Sequence, residues 1–346
     1  MRCEKIGVDA GAWQRPTRGV NCPPNTVPQK GIIALAKKKI AVIGVGKIAQ
    51  DQHLPVIDKS RDFVVAATVS TRGLGHNGMP VFKTPAELYA AMPEIKLVAI
   101  CTPPLVHHQM VREALDAGMD VLLEKPPTPT VSEFDDLVRH AKKKKRILFQ
   151  TWHSQYNAAV DQAKKILKKD GVQSVRIDWR ESVRKWHPGQ DWVWEPGGFG
   201  VFDPGINAMS IFTKIMPFPV FVGSASLKYP GNRQTPIDVE IAFKSAEKHQ
   251  PKLSAGFNWL ETEGEIWTVS IETQKGDQLK LEKGGTVLRV NGNVKVENPS
   301  EEYEGIYERF AELLKKQKSD ADGTPLRLIA DAFLLGARQN VEDFYW

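Results

Sequence analysis

The run Lys39-Ile40-Ala41-Val42-Ile43, followed at once by Gly44-Val45-Gly46-Lys47-Ile48-Ala49, constrains the fold more than any other stretch of the chain. A short apolar run of this kind suits a buried strand, and Gly-x-Gly-x-x-Ala behind it turns the chain sharply into a helix. Lacking Cβ atoms, the glycines let backbone N–H groups approach a pyrophosphate, and the helix N-terminus adds partial positive charge. Gly44, Gly46, Lys47 and Ile48 are therefore read as cofactor-binding residues. The motif alone is common, so its weight rests on the segments C-terminal to it. Strands are predicted at Phe63 to Val69, Leu97 to Cys101, Val121 to Glu124 and Ile147 to Gln150. Helices are predicted near Pro85 to Met92, Val106 to Ala117 and Val131 to Lys143. That alternation is the pattern of an α/β, doubly wound parallel sheet, here an NAD(P)-binding domain over residues 38–152.

The end of the second strand bears on which cofactor fits. NAD-selective sites usually place Asp or Glu there to hold ribose hydroxyls, and such a carboxylate repels a 2′-phosphate. This chain has Ser70-Thr71-Arg72, two hydroxyls and a guanidinium suited to charge-assisted bonds with a phosphate. NADP is the expected cofactor, with NAD possible. Thr102-Pro103-Pro104 and Glu124-Lys125-Pro126-Pro127 also end apolar strands, so they lie at the carboxyl edge where open α/β sheets bind ligands. Thr102, Pro103, Glu124 and Lys125 join the cofactor set, and Lys125, held extended before proline, is expected to point into the cleft.

With 346 residues the chain has room for a second core. After Gln150 the texture changes: helix Tyr156 to Lys169, strand Val172 to Trp179, then strands at 220–229, 235–243, 252–259, 266–273 and 277–290. Helix Asp203 to Ile215 is inserted among them, and helices Tyr303 to Gln317 and Pro325 to Arg338 close the chain. Residues 153–346 are therefore expected to form an α+β substrate and oligomerisation domain. Its sheet should be open and largely antiparallel, and the closing helices should pack back on the first domain. A sheet face left bare would expose apolar surface for self-association as a homodimer or homotetramer.

Within this half, Gly198-Phe199-Gly200-Val201-Phe202-Asp203-Pro204-Gly205-Ile206-Asn207 carries the best proton-handling side chain. Asp203-Pro204 reads as a helix start, and Asn207 falls one turn later on the same face. Asp203 either caps this helix or serves a substrate.

Composition excludes several classes. Apolar residues make up 41% and charged residues 25%, ordinary for a soluble globular protein. The formal charge of +6 is modest, and Lys142 to Lys145 lies at a helix end, where cations favour the dipole. No nucleic-acid motif accompanies it. Cys3, Cys22 and Cys101 show neither metal spacing nor a disulfide framework, so no metal is expected and a reducing cytoplasm fits. No apolar stretch reaches membrane-helix length. Residues 1–37, rich in proline and glycine and without a signal-like apolar core, read as a disordered extension.

Glu-Lys-Pro after the fifth strand, with a Gly-Gly and Asp helix start in an α+β half, resembles the glucose-fructose oxidoreductase / inositol dehydrogenase / MocA family over about residues 38 to 340. Asp51-Gln52-His53-Leu54-Pro55, Thr151-Trp152-His153-Ser154, Trp186-His187-Pro188-Gly189-Gln190 and Asp203-Pro204-Gly205-Ile206-Asn207 are similar to its aldose 1-dehydrogenase branch. That resemblance implies oxidation of C1 of L-arabinose or D-galactose to the lactone. It also implies that Lys125, Glu181, His187, Asp203 and Asn207 line the sugar pocket over the nicotinamide. Asp203, its pKa raised by burial, is expected as the base, with Lys125 the other possibility. Asn207 would orient the C1 hydroxyl. Glu181, His187, Trp186 and Trp259 would hold the sugar. Relatives acting on inositol or nucleotide sugars, and non-catalytic regulators of this fold, are the competing expectations.

Overall fold

The computed structural model describes residues 36–346; residues 1–35, nearly all of the expected extension, lie outside the described part. Strand β1 (Lys38–Ile43) leads through the glycine turn into a π-helical turn (Ala49–His53) that runs directly into α1 (Leu54–Lys59). The first half continues as β2 (Phe63–Val69), β3 (Val81–Phe82), α2 (Pro85–Ala91), β4 (Leu97–Ile100), α3 (His107–Asp116), β5 (Asp120–Leu123), α4 (Val131–Lys144) and β6 (Leu148–Gln150). All strand pairs are parallel and the order is β3-β2-β1-β4-β5-β6, the doubly wound arrangement. Thr84 and Thr130 accept from the N–H groups of Glu87 and Glu133, so each fixes a helix start by satisfying an orphan donor.

The second half comprises α5 (Ala158–Asp170), β7 (Ser174–Arg180), α6 (Val183–Trp186), α7 (Phe202–Ile215), β8 (Val220–Pro230), β9 (Asp238–Ser245), β10 (Lys252–Asn258), β11 (Ile266–Glu272), β12 (Gln278–Glu282), β13 (Val287–Val290) and β14 (Asn293–Glu297). Helices α8 (Glu302–Lys316) and α9 (Thr324–Leu335) and strand β15 (Gly336–Val341) complete the chain. The sheet order is β14-β13-β12-β11-β7-β10-β9-β8-β15; β7–β10 and β8–β15 are parallel and the other pairs antiparallel.

Three expectations are corrected. The last helix stops at Leu335, and Gly336–Val341 is a strand beside β8 instead of helix to Arg338. The stretch 277–290 is two strands split by a turn at Lys283–Gly285, with β14 beyond it. The uncovered face of the second sheet is polar: Arg176 bridges Asp178 and Glu240 across β7 and β9, and Lys228 pairs with Asp238. Among the described residues that face carries no contiguous apolar surface, Phe221, Ile266 and Val294 being scattered exceptions.

Helix α8 covers one face of the first sheet. Its Tyr303, Ile306, Tyr307, Phe310 and Leu313 pack with Ile40, Val42 and Phe63. Phe310 stacks between Phe63 and Phe149 at 5.7 and 6.1 Å. Burying such a ring stabilises by about 1.5–3 kcal/mol. The last segments therefore hold the two halves together, and α7 lies on the inner face of the second sheet with its first turn aimed at the carboxyl edge of the first. Among the described residues no helix is long and apolar enough to cross a membrane, and no group of three or more His, Cys, Asp or Glu side chains could hold a metal.

Candidate active site

The start of α7 is set by backbone constraint and not by a capping side chain. Gly200 has φ +55°, and a Cβ there would stand 2.4 Å from the Pro236 carbonyl oxygen, so only glycine fits the turn. Val201 donates its N–H to Pro236 O at 2.8 Å, and the helix begins at Phe202 with no side-chain cap. Asp203 thus sits inside the first turn, two residues past the expected cap position, and its carboxylate is free for other partners.

Those partners are an ammonium and an imidazole. Lys125 Nζ donates to Asp203 Oδ2 at 3.1 Å and to its carbonyl oxygen at 3.2 Å. His187 Nε2 lies 3.2 Å from the same Oδ2. Asp203 is 3% exposed, and burial alone would raise its pKa; the Lys125 charge and the His187 contact outweigh it and hold the carboxyl well below the usual range. The expected raised pKa is therefore reversed. An aspartate this deep is stable as an anion only because a cation touches it. Asn207, half-buried on an otherwise buried stretch of α7, makes no side-chain hydrogen bond among the described residues. Gln190 Oε1 meets His187 Nδ1 at 3.3 Å and accepts from Trp192 Nε1 at 3.1 Å, which orients the imidazole.

Glu181 is the contrasting carboxyl. It is buried, and its oxygens accept from the indole N–H groups of Trp259 at 3.4 Å and Trp267 at 2.9 Å. Desolvation dominates these neutral donors and pushes its pKa up to about 7. Trp259 is fully buried behind Glu181 and against His187, with ring centroids 5.4 Å apart, so it backs the pocket and cannot touch a sugar as expected. Trp186 is half-buried, its ring 5.7 Å from that of Trp267.

The carboxyl edge of the first sheet adjoins these groups. Gly44, at φ +90°, packs so closely on Thr102 that a Cβ would stand 2.7 Å from Thr102 Cγ2. A Cβ on Gly46 would meet nothing within 4 Å, so this backbone faces open space at the helix start, as a pyrophosphate cradle requires. Arg72 donates to Val45 O at 3.3 Å, placing its guanidinium beside the turn, and Lys83 Nζ donates to Thr71 O at 3.2 Å. Lys47 is exposed and pairs with Asp51, Ile48 is half-buried, and Pro103 is exposed beside Thr102. Two members of the expected set turn elsewhere. The Ser70 hydroxyl is spent on the Leu74 N–H, and Glu124, 2% exposed, points under the cleft to His53 at 2.9 Å.

A family described as an oxidoreductase family with an NAD-binding Rossmann fold matches residues 38–151. Galactose 1-dehydrogenase of Pseudomonas fluorescens is 39% identical over 307 residues, spanning 89% of this chain and 98% of that protein. The chain belongs to this oxidoreductase family. The crystal structure of a D-galactose-1-dehydrogenase protein from Rhizobium etli is similar at a TM-score of 0.85 and 44% identity, covering 89% of this chain and 98% of that one. A 3-ketoreductase from Actinomadura kijaniata, in complex with NADP, shares the fold at a TM-score of 0.74 but only 16% identity, over 88% of this chain and 100% of that one. The family binds a nicotinamide dinucleotide, and the turn at Gly44 and Gly46 fits one.

Sequence reasoning missed Trp267, Lys83 and His107, and gave no role to Gln190 within the Trp186-His187-Pro188-Gly189-Gln190 motif. His107 is fully buried with Nε2 2.6 Å from Thr102 O and Nδ1 about 3 Å from the carbonyl oxygens of Pro126 and Pro127, so it ties the two loops flanking the cleft. No local signal marks Trp267, Lys83 or His107; each acquires meaning only from partners that folding brings to it.

Proposed function

We propose that this protein is an NAD(P)-dependent aldose 1-dehydrogenase that oxidises C1 of D-galactose or L-arabinose to the sugar lactone, with NADP preferred. The observation that carries the reading is Asp203 held ionised between Lys125 and His187 at the carboxyl edge of the dinucleotide-binding sheet. When bound, the nicotinamide supplies the hydride acceptor. Asp203 is assigned as the proton acceptor for the C1 hydroxyl. Its low basicity is not a bar, because that hydroxyl becomes strongly acidic as C1 loses its hydride, and a weak base already in place then suffices. The C1–H pair leaves as hydride, the O–H proton passes to Asp203, and the oxygen closes a C=O bond.

Lys125 stabilises developing charge on that oxygen, and Asn207, with its amide unspent, orients the hydroxyl. Glu181, His187 and Trp186 are assigned to the ring hydroxyls and the sugar face. A site that pairs each hydroxyl rejects an analogue lacking it, since a buried polar group would be left unpaired. Arg72 and Lys83, with no acid in the Ser70-Thr71-Arg72 turn, favour a 2′-phosphate.

The test is the initial rate of NADP and NAD reduction with D-galactose, L-arabinose, D-fucose, D-xylose, D-glucose and myo-inositol. Turnover confined to sugars with the galactose and arabinose ring configuration is expected. An Arg72→Ala variant should raise KM for NADP and leave that for NAD. Binding of NADP with no turnover of any sugar would overturn the assignment.

A further inference from the structure

Beneath Lys125 lies a buried polar chain that the proposed chemistry does not use. The π-helical turn Ala49–His53, closed by the Leu54 N–H on Ala49 O, interrupts the helix that succeeds the glycine turn. A wider turn shifts the helical phase, and such turns cluster at functional sites. Here Gln50, Asp51 and Gln52 stay exposed while His53 faces inward with no exposed surface. His53 Nε2 lies 2.9 Å from Glu124 Oε1, and His53 Nδ1 lies 2.8 Å from the Tyr307 hydroxyl of α8. The other carboxylate oxygen, Glu124 Oε2, accepts the backbone N–H of Lys125 at 2.7 Å.

The protonation pattern closes without conflict. With a proton on Nε2, His53 donates to Glu124, and its Nδ1 pairs with the Tyr307 hydroxyl. Glu124 then has a donor on each oxygen, which an anion 2% exposed requires. Burial works against its charge, but the His53 hydrogen bond leads the opposing contributions and its pKa falls to about 2. β5 ends at Leu123, so the Lys125 N–H lies past the strand and has this carboxylate as its partner.

We propose that His53 is a positioning residue for the dehydrogenase reaction: through Glu124 it fixes the Lys125 peptide, and so the ammonium group beside Asp203, to the helix that carries the dinucleotide. Tyr307 anchors the chain from α8. The inference rests on the assignment of Lys125 to the sugar oxygen. Its geometric content, a Lys125 whose placement depends on His53, is separable from that assignment.

The experiment uses the full chain with His53→Ala, His53→Gln, Glu124→Gln and Tyr307→Phe. Gln places an amide N–H near the site of Nε2 and should restore part of the bond that Ala removes. Expected are a fall in kcat of about 10–100-fold in His53→Ala and Glu124→Gln, with the Kd for NADP changed less than about threefold. His53→Gln should recover much of this, and Tyr307→Phe should lose less than His53→Ala. In parallel, acetic anhydride labelling of Lys125 against pH, read by mass spectrometry without sugar, should shift in His53→Ala and Glu124→Gln and return toward normal in His53→Gln. Equal losses in the Ala and Gln variants, tracking NADP affinity and melting temperature, would make His53 structural and overturn the proposal. So would an unchanged labelling profile. If the unaltered protein oxidises no sugar, the aldose reading fails alone and the labelling series still decides the positioning.

Discussion

Two buried carboxyls lie near His187 and titrate in opposite senses. Asp203, between an ammonium and an imidazole, is held ionised far into acid; Glu181, between two indoles, has a pKa of about 7. Both are nearly out of contact with water, so burial alone cannot tell them apart. What separates them is the charge of the donors: a cation stabilises the ionised form strongly at low local dielectric, while a neutral N–H only partly repays desolvation. The site thereby keeps one group always able to accept a proton and another poised to change state near neutrality.

The largest effect should come from removing the fixed charge. Asp203→Asn keeps the shape but leaves Lys125 and His187 facing an amide, and kcat should fall by about 10²–10⁴-fold with NADP affinity nearly kept. Stopped-flow turnover with separate NADP titration measures both. Normal turnover would sink the proton-acceptor assignment.

Lys125→Met tests the cause of the difference more directly. Without the ammonium, burial is opposed only by His187, so the Asp203 pKa should climb toward that of Glu181. Turnover should drop by about 10²-fold and acquire an acid limb that the unaltered protein lacks at neutral pH. A pH–rate profile with no such limb would mean that another group sets the Asp203 charge.

How much of this contrast is legible in the chain depends on how local each cause is. The first sheet is legible because strand, glycine turn and helix succeed one another within a dozen residues, and the apolar runs at Phe63, Leu97 and Val121 repeat the unit. Gly336 to Arg338 reads wrongly as helix because Ala337 and Arg338 favour one, and pairing with β8 overrides that preference. Asp203 and Glu181 both stand out as site residues in the sequence, yet their charge states do not. Asp203 meets Lys125 from 78 positions away, and Glu181 meets Trp267 from 86, so the environments that set their pKa values exist only after folding.

Trp267→Phe sharpens the other side of the comparison. It removes the 2.9 Å donor to Glu181 and leaves an aromatic ring in place, so the Glu181 pKa should rise further above 7. If Glu181 holds a ring hydroxyl, KM for the sugar should increase roughly tenfold with a smaller change in kcat. The penalty should shrink at higher pH, where the carboxyl ionises in both proteins. A loss in kcat with KM unchanged would move Glu181 out of sugar recognition.

The smallest expected effect is on stability. Glu181 titrates near 4.5 when unfolded and at about 7 in the folded protein. Between those values the folded state binds more protons than the unfolded one, so this group's stabilising contribution is complete at low pH and is lost as pH rises to about 7. The shift in pKa sets a ceiling of about 3 kcal/mol on the loss, from 1.36 kcal/mol per unit. Glu181→Gln removes the titration in nearly the same volume, and its loss of one acceptor for an indole N–H costs the same at every pH. The difference in melting temperature between variant and parent should therefore move in the variant's favour between about pH 5 and pH 8, by a few degrees for a chain of this size. Asp203 does not interfere, because its depressed pKa keeps its own contribution constant until pH falls below the normal carboxyl range. A temperature difference that stays flat across that interval would show that the indole pair already compensates the buried charge, and the two carboxyls would then differ in role and not in ionisation.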